Sequence, residues 1–330
     1  MQSRVTSVDV AAESGVSQAT VARVFSSPHL VSPTTRAKVE AVAQRLGYVP
    51  NAIARSLKSQ RTTISGAVVP AYGEYWQSVL TQFSRQLAEQ GQQLLLFSFA
   101  DSDDVDRALA AVAQYRLDGL ILASATIGTD QLTRSADREV PVVAFNQPAA
   151  SGLVPSVSVD NELGAAQLAE HLVEIGCRTV TYVGGVSSAS TDRLRYQGAT
   201  RTLADAGIAL PYVEAGAYTY EAGYKAAGHF ADGDTLPDAV MVGSDEVAFG
   251  FFDGLHQAGV SVPDDLLLTG FDGLPQATWA GYDLTTLVQT TDVLVAKAIE
   301  LLSADSAAPP DSVVVPGTIR HGRTTRRSDG

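Results

Sequence analysis

Residues 7–25 read SVDVAAESGVSQATVARVF, and this stretch decides the fold of the N-terminal part of the chain. Its first apolar positions have the i, i+3, i+4 spacing of a helix face: Val8, Ala11 and Ala12. Gly15 allows the left-handed conformation in which many helices end, and Ser17 is a favourable N-cap for a second helix. Two short helices joined by a turn that contains glycine form a helix-turn-helix unit. The stretch therefore predicts such a unit.

A third helix is predicted to follow, with Ser32 as its N-cap, Pro33 at its first position and Gly47 at its end. In a helix-turn-helix unit the second helix enters the major groove of DNA with its N-terminal residues at base edges. Gln18 can pair with adenine through two hydrogen bonds, and Arg23 can pair with guanine. A plain three-helix bundle with solvated polar residues is the alternative that this segment alone leaves open.

The distribution of charge separates this N-terminal part from the rest. The 330 residues carry a net charge of −13, which by itself argues against nucleic acid. Residues 1–61, however, contain eight lysines and arginines against three acidic residues, a net charge of +5, so the remainder carries −18. A small basic head on a large acidic body indicates a polyanionic partner for the head alone.

Composition indicates in which cellular compartment the protein works and whether it binds a metal or a cofactor. The chain has one cysteine, Cys177, which we interpret as a buried structural thiol in a reducing compartment. Its five histidines are scattered, without metal-ligand spacing, so neither a metal nor a cofactor is expected. Asp9 and Glu13 stand where a signal peptide has its apolar region. We therefore expect a cytoplasmic protein without a membrane span.

Beyond residue 63, short β-rich runs alternate with amphipathic helical stretches. The strand candidates are ISGAVV, QLLLF, GLILAS, PVVAF, TVTYVGG, DAVMVGS and LLLTGF. This alternation predicts parallel sheets with helices on both faces, and there are enough strands for two such sheets. Folds of this kind bind ligands outside the carboxyl ends of the strands.

The residues just past these strand ends are therefore the candidates for a ligand site. They are Tyr75 and Trp76 after the first strand, Asn146 after PVVAF, Arg193 and Arg195 after TVTYVGG, and Asp245 after VMVGS. Aromatic faces beside Asp, Asn and Arg suit a sugar or a nucleobase, because they combine stacking with paired hydrogen bonds.

Three longer segments carry a resemblance to a known family. They are DVAAESGVSQATVARVF at 9–25, VSPTTRAKVEAVAQRLGYVPNAIARSLKSQRT at 31–62 and the strand ISGAVVP at 64–70. In this order and spacing they resemble the lactose-repressor (LacI/GalR) family of transcription regulators, and the resemblance continues to the C-terminus. It implies a bacterial repressor that binds near-palindromic, double-stranded operator DNA as a homodimer and is controlled by a small polar effector.

The resemblance implies an all-α helix-turn-helix DNA-binding head and an α/β two-lobed effector domain like a periplasmic binding protein. The head covers residues 1–50, and a hinge helix with its linker covers 51–61. The effector-binding and dimerisation domain covers 62–330. Within it, lobe 1 lies at about 62–159 and 289–304 and lobe 2 at about 160–288.

The resemblance also assigns DNA contacts. They are Ser7, Ser17, Gln18, Ala19, Thr20, Arg23, Ser32, Tyr48, Asn51, Ala54, Leu57 and Lys58. The hinge helix would fold only on DNA, with Leu57 wedged into the minor groove and Ala54 allowing two hinge helices to approach. One departure is Ala22, which stands where the family commonly has serine.

For the effector, the resemblance places Asn146, Arg195 and Asp245 on ligand-contacting positions and Gln289 near another. Three other interpretations stay open: Asp245 as a helix N-cap, Arg193 paired with a carboxylate, and Trp76 as packing between domains. The AYGEYW loop is one residue shorter than is usual in the family, and the segment after Asn146 lacks a common arginine.

Two other functions compete with a DNA-binding repressor. A periplasmic solute-binding protein would share the two-lobed body, but the basic head and the missing signal peptide count against it. An enzyme acting on carbohydrates or nucleosides is the other alternative. It is disfavoured because GGVSSAS at 184–190 matches neither the dinucleotide nor the Walker phosphate loop. Induction is the expected response, and the C-terminus shows no leucine heptads that would make a tetramer.

Overall fold

The computed structural model describes residues 5–49, 62–71, 73–100, 104–124, 127–136, 140–147, 154–231, 235–303 and 312–326. The chain divides into two compact units, a small N-terminal head and a larger body. Each unit has a core of its own, and each is built as its sequence pattern predicts.

The head is built from helices, which are α1 (Ser7–Ser14), α2 (Gln18–Ser26) and α3 (Pro33–Leu46), with a 3-10 turn at Pro28–Leu30. The predicted helix ends are confirmed. Gly15 ends α1 with a φ of 63°. The Ser17 hydroxyl caps α2 by accepting a hydrogen bond from the Thr20 amide at 3.0 Å. Ser32 caps α3 in the same way, and Gly47 ends it.

Side chains from all three helices form the core of the head, namely Val10, Ala11, Val21, Val24, Val39, Val42 and Ala43. The predicted apolar face of α1 is wrong in part, because Val8 is 57% exposed and Ala12 is also exposed. Val10, Ala11 and Ser14 point inward instead. Ser14 is tolerated there because its hydroxyl donates to the Val10 carbonyl oxygen at 2.5 Å, which leaves no unpaired buried donor.

The first sheet of the body has six strands. They are β1 (Ile64–Pro70), β2 (Gln93–Phe99), β3 (Gly119–Ala123), β4 (Val142–Phe145), β5 (Ser156–Val159) and β11 (Ser312–Val315). Their spatial order is β11-β5-β4-β3-β1-β2, and neighbouring strands are parallel. The central strands are buried on both faces, as expected for a parallel sheet covered by helices.

The second sheet also has six strands. They are β6 (Val180–Gly184), β7 (Tyr212–Glu214), β8 (Ala239–Val242), β9 (Leu267–Asp272), β10 (Thr285–Val288) and β12 (Thr318–Arg320). Their order is β12-β10-β9-β8-β6-β7. β12 runs antiparallel to β10, and the other neighbours are parallel.

The helices described in the body are α4 (Glu74–Glu89), α5 (Val105–Val112), α6 (Thr129–Ala136), α7 (Asn161–Glu174), α8 (Ser190–Asp205), α9 (Tyr220–Ala231), α10 (Asp245–Gln257) and α11 (Thr291–Ser303). Helices α4, α5, α6 and α11 pack on the first sheet and form with it the first lobe. Helices α7 to α10 and the second sheet form the second lobe. None of the helices in the described ranges is both long and apolar enough to span a bilayer.

The chain passes between the two sheets after β5, after β10 and between β11 and β12. Because parallel strands place their carboxyl ends at one edge of a sheet, residues that follow different strands of one sheet come together. The sequence did not predict β5, β7, β10, β11 or β12. Each of these strands has three or four residues, and β7, β11 and β12 lie at sheet edges.

Candidate functional site

The start of α2 presents the polar surface on which the predicted DNA contacts lie. Ser17, Gln18, Ala19 and Arg23 are exposed there, whereas Val21 and Val24 on the opposite side of the helix are buried. An exposed helix with a buried apolar back is free to enter a groove.

Several of the predicted DNA contacts also touch each other. The Gln18 amide nitrogen donates to the Ser7 hydroxyl oxygen at 2.8 Å, so α1 and α2 present these two residues together. The half-buried Thr20 hydroxyl lies 2.9 Å from that of Ser17, within the cap of α2. The structure therefore gives Ser17 and Thr20 a role in capping, beside any DNA contact.

The remaining predicted contacts divide into two groups. Ser32 is exposed at the N-cap of α3, and the half-buried Tyr48 ring lies 5.9 Å from the Phe25 ring. Asn51, Ala54, Leu57 and Lys58, the hinge-helix contacts, lie outside the described residues.

In the body, Arg195 on α8 is the most extensively bonded of the predicted effector residues, and its side chain is 4% exposed. Nε donates to Asn161 Oδ1 at 2.8 Å, and Nη1 donates to the Gly243 carbonyl oxygen. Nη2 lies 3.5 Å from Asp272 Oδ1. The guanidinium carbon stands 3.8 Å from the centroid of the Phe271 ring. Bonds on three sides and a ring on one face fix this planar cation.

Asp272 is the carboxylate of this site. It ends β9 with a φ of 135°, and its Oδ1 also accepts from Gln289 Nε2 at 2.7 Å. Burial raises the pKa of Asp272 well above its usual range, the Arg195 guanidinium opposes that rise, and the nearby Asp245 carboxylate adds to it. A buried carboxylate of this kind is costly to ionise unless more donors reach it.

Gln289 connects the two lobes. It follows β10, and its Oε1 accepts a hydrogen bond from the Tyr75 hydroxyl at 3.1 Å. Tyr75 lies on the first turn of α4 in the first lobe and is 8% exposed, and burial raises the pKa of its hydroxyl, so the hydroxyl stays a donor. We call the residues Tyr75, Asn161, Arg195, Asp272 and Gln289 the interlobe network.

Trp76 extends this network with aromatic surface. Its ring packs edge-to-face against Tyr75 at 5.1 Å and against Phe145 at 6.5 Å between centroids. Trp76 is partly buried against the large core cluster of the body. All three rings belong to the first lobe, but the core cluster on which Trp76 packs contains residues of both lobes, which agrees with the interpretation of Trp76 as packing between them.

The end of β4 carries two unpaired acceptors. Asn146, with a φ of 57°, and Gln147 are both buried. Among the described residues, neither Asn146 Oδ1 nor Gln147 Oε1 has a hydrogen-bond partner. Gln147 Nε2 donates to the Ile127 carbonyl oxygen at 2.8 Å, which fixes the oxygen as its unpaired end. Buried oxygens of this kind are costly unless a further donor reaches them.

The structure gives Asp245 another task than the one predicted. Its Oδ2 accepts from the Leu274 amide at 2.7 Å and its Oδ1 from the Thr286 hydroxyl at 2.5 Å, and the residue is fully buried. It is not the N-cap of α10 either, since Ser244 takes that position. Both oxygens are therefore used inside the second lobe.

Arg193 also differs from expectation. It is exposed, and its Nη1 donates to the Ser188 carbonyl oxygen at 2.5 Å, so it does not pair with a carboxylate among the described residues. Two residues along a helix turn the side chain about 200°, away from that of Arg195. The structure does not bring Arg193 into the interlobe network.

Sequence reasoning missed two residues of the network. Asp272 directly follows the predicted strand LLLTGF, so the strand-end rule that selected Asn146 could have found it. Asn161 follows β5, a strand that was not predicted, and its sequence carries no comparable signal.

Comparison with known families gives a match for the head and a second match for the body. Residues 7–51 match the family described as bacterial regulatory proteins, lacI family. Residues 63–313 match the periplasmic binding proteins and sugar binding domain of the LacI family. The chain belongs to the LacI family. It is a DNA-binding transcription regulator with a helix-turn-helix head and a two-lobed effector domain of the periplasmic-binding-protein type.

Individual relatives of this LacI-family regulator match along nearly its whole length. Catabolite control protein A of Priestia megaterium is 32% identical over 305 residues, which cover 91% of this chain and 92% of that protein. The ribose operon repressor of Escherichia coli strain K12 is 30% identical over 301 residues, covering 89% and 91%.

A solved structure supports the fold. The lac repressor dimer bound to operator and the anti-inducer ONPF has a TM-score of 0.85 to this LacI-family regulator, at 24% identity, and covers 98% of this chain and 99% of its own. Both the predicted fold class and the predicted family are confirmed.

Proposed function

We propose that this LacI-family regulator is a repressor that binds near-palindromic operator DNA as a homodimer and is released by a small neutral sugar or polyol bound between the lobes of its body. The observation that carries the proposal is the interlobe network. It joins Tyr75 of the first lobe to Arg195 and Asp272 of the second through Gln289. A ligand that binds among these groups changes how the lobes close.

The charges of the network favour a neutral ligand over an anionic one. Arg195 is the cation of the network, and its bonds to Asn161 and Gly243 are already made. Burial raises the pKa of two carboxyl groups here, Asp245 and Asp272, and the Asp245 charge adds to the rise at Asp272. An anion would meet this negative field, whereas hydroxyl groups can donate to Asp272.

The first lobe adds acceptors and an aromatic surface. The unpaired oxygens of Asn146 and Gln147 require donors, and the partly exposed Trp76 adds aromatic surface. A molecule with several hydroxyl groups and one apolar face meets both requirements, which is the chemistry of a sugar ring. The proposed effector contacts are Tyr75, Trp76, Asn146, Arg195, Asp272 and Gln289, and they no longer include Arg193 and Asp245.

The head supplies the proposed DNA contacts. Gln18, Ala19 and Arg23 on α2 would read bases in the major groove, while Ser7, Ser32 and Tyr48 would contact the backbone. The hinge residues Asn51, Ala54, Leu57 and Lys58 retain the roles predicted for them from the family. The lobe and hinge boundaries predicted from the sequence are retained in this proposal.

We further infer that the regulator acts in the cytoplasm and without catalysis. The polar groups of the interlobe network are paired with one another, an arrangement that suits holding a ligand better than attacking it. A solute-binding protein would bind sugar equally well but would gain nothing from a basic head. Removal of the head would leave the function of a solute-binding protein intact, whereas a repressor would keep sugar binding and lose DNA binding.

Thermal unfolding of the full chain tests the proposed ligand class. We expect a neutral sugar, such as D-ribose or D-glucose, to raise the midpoint temperature of unfolding. At a hundredfold excess over its dissociation constant, the sugar should stabilise the folded state by about 2.7 kcal/mol. D-gluconate and glucose 6-phosphate serve as anionic counterparts and should give no shift. Arg195→Lys should abolish the shift, whereas the control Arg201→Lys, on the same helix with an exposed guanidinium, should keep it.

Three results would contradict this proposal. One is stabilisation by the anionic compounds alone, and another is an unchanged sugar shift in a folded Arg195→Lys variant. The third is the absence of any shift across a broad panel of neutral sugars.

A further inference from the structure

A further buried carboxylate lies on the same helix as Arg195 of the interlobe network. Asp192 is on the first turn of α8, three residues before Arg195, and is 1% exposed. Its Oδ2 accepts a hydrogen bond from the Tyr212 hydroxyl at 2.8 Å. Its Oδ1 accepts from the Gly185 amide at 3.2 Å and from the Tyr182 hydroxyl at 3.4 Å. One carboxylate thus ties α8 to β6, to the loop after β6 and to β7.

The donors of these bonds are themselves held in a cluster of tyrosine rings. Tyr182 and Tyr212 stack with centroids 5.7 Å apart. The Tyr196 ring lies 5.4 Å from Tyr182 and 5.1 Å from Tyr212. Rings packed this closely have little freedom, so the hydroxyl groups of Tyr182 and Tyr212 are fixed toward Asp192.

Glycines let the carboxylate approach the sheet. A Cβ on Gly184 would lie 2.7 Å from Asp192 Oδ2, and a Cβ on Gly243 would lie 3.0 Å from Asp192 Oδ1. The carbonyl oxygen of the same Gly243 accepts from Arg195 Nη1. Asp192 and Arg195 therefore both lie close to the backbone of Gly243, which directly follows β8.

Asp192 lies where α8 begins. Ala189 is its N-cap residue and provides no side-chain bond to the first turn. The orientation of α8 about its axis decides where the Arg195 guanidinium stands. A side chain one turn earlier on the same face is well placed to set that orientation.

We propose that Asp192 is a positioning residue for effector binding: its carboxylate, held by Tyr182, Tyr212 and the Gly185 amide, fixes the first turn of α8 and so aims Arg195 at Asp272. The proposal rests on the proposed function, because it assumes that Arg195 contacts the effector. It does not assume which sugar binds.

The groups that face Asp192 come from several elements. Tyr182 lies on β6, Tyr212 on β7 and Tyr218 just before α9, while Arg195 is on α8 itself. Burial raises the pKa of Asp192, and the Tyr212 bond and the Arg195 charge oppose that rise. Removal of the Tyr212 hydroxyl should therefore raise the pKa of Asp192 further. As the pH falls, the Asp192 carboxylate should then be protonated, and its hydrogen bonds weakened, at a higher pH than in the wild type.

Hydrogen exchange of the Arg195 Nε–H, followed by NMR on the full chain without effector, tests the proposal directly. The signal is assigned by its loss in Arg195→Lys. In Asp192→Asn we expect exchange to accelerate about tenfold or more, because bonds to a charged group are lost. Tyr212→Phe should give an intermediate acceleration. Tyr196→Phe is the matched control on α8, since its hydroxyl donates to the Leu210 carbonyl oxygen, and it should leave the exchange unchanged.

A pH titration separates positioning from a merely structural role. Protonation of Asp192 on acidification should release Arg195 and accelerate the exchange of its Nε–H. The pH at which this acceleration occurs should be higher in Tyr212→Phe than in the wild type and unchanged in Tyr196→Phe. If Asp192→Asn does not fold, the comparison of these two variants decides the question alone. The proposal would be overturned if folded Tyr212→Phe exchanged the Arg195 Nε–H at the wild-type rate and with the same pH midpoint. Absence of sugar binding in all variants, with the exchange behaving as expected, would instead refute the proposed effector class.

Discussion

Glu246 of the second lobe accepts a hydrogen bond, through Oε2, from the backbone amide of Glu74 at the start of α4 in the first lobe, at 3.1 Å. The N-cap residue of α4 is Gly73, which has no side chain that could cap the helix. A residue from one lobe therefore caps a helix of the other. This bond lies beside the Tyr75 to Gln289 contact in sequence and favours a closed arrangement of the lobes.

Glu246→Ala should shift the body toward a more open arrangement. The loss of this bond to the half-buried Glu246 is expected to cost about 1 kcal/mol, which corresponds to about fivefold weaker sugar binding. Small-angle scattering of the full chain should show a larger radius of gyration without ligand. Glu170→Ala, at an exposed position on α7, is the control. Equal scattering and equal affinity for the two variants would show that the bond does not hold the lobes.

Asp272→Asn should change the pH dependence of stability. The raised pKa of Asp272 means that the folded state binds this proton more tightly than the unfolded chain. The contribution of Asp272 is therefore favourable in mild acid and falls as the pH rises through the folded pKa. Asparagine resembles the protonated form and removes this dependence.

The measurement for Asp272 is thermal unfolding at about pH 5 and about pH 8, which bracket the raised range of a buried carboxyl. The midpoint of Asp272→Asn relative to wild type should be higher at the alkaline pH than at the acidic pH. Asp205→Asn, exposed at the end of α8, should show no such difference. A variant that loses more stability in alkali than in acid contradicts the assignment.

Gln18→Ala should weaken operator binding by about 1–3 kcal/mol and relax the preference at one base position. The amide of Gln18 is exposed at the start of α2, where base edges are read. Fluorescence anisotropy on a selected operator and on single-base variants measures both effects. Gln44→Ala, exposed on α3, is the control. Uniform weakening across all sequences would indicate a backbone contact instead.

The sequence predicted the head in detail because its signals are local. Gly15, Ser17, Ser32 and Gly47 each act within one turn of a helix, and all four take their predicted positions. Val8 was misplaced because the rotation of an eight-residue helix is set by its neighbours, and a serine that bonds its own backbone can occupy the inward face.

The body was predicted in class but not in its connections. Strand β5, with the sequence SVSV, has too few apolar residues to stand out, although both its faces are buried. The neighbours of Asp245 depend on β9 and β10 lying side by side. No local pattern could therefore show that the Thr286 hydroxyl and the Leu274 amide donate hydrogen bonds to its carboxylate.

The most direct test of the account is an operator-binding titration of the full chain at constant salt, on a site obtained by genomic selection, with and without a neutral sugar that stabilises the body. We predict specific binding of two chains per near-palindromic site and a loss of affinity when the sugar is added, with Arg195→Lys binding the same site but no longer responding. Operator affinity that stays the same at saturating sugar would contradict the claim that the body controls the head.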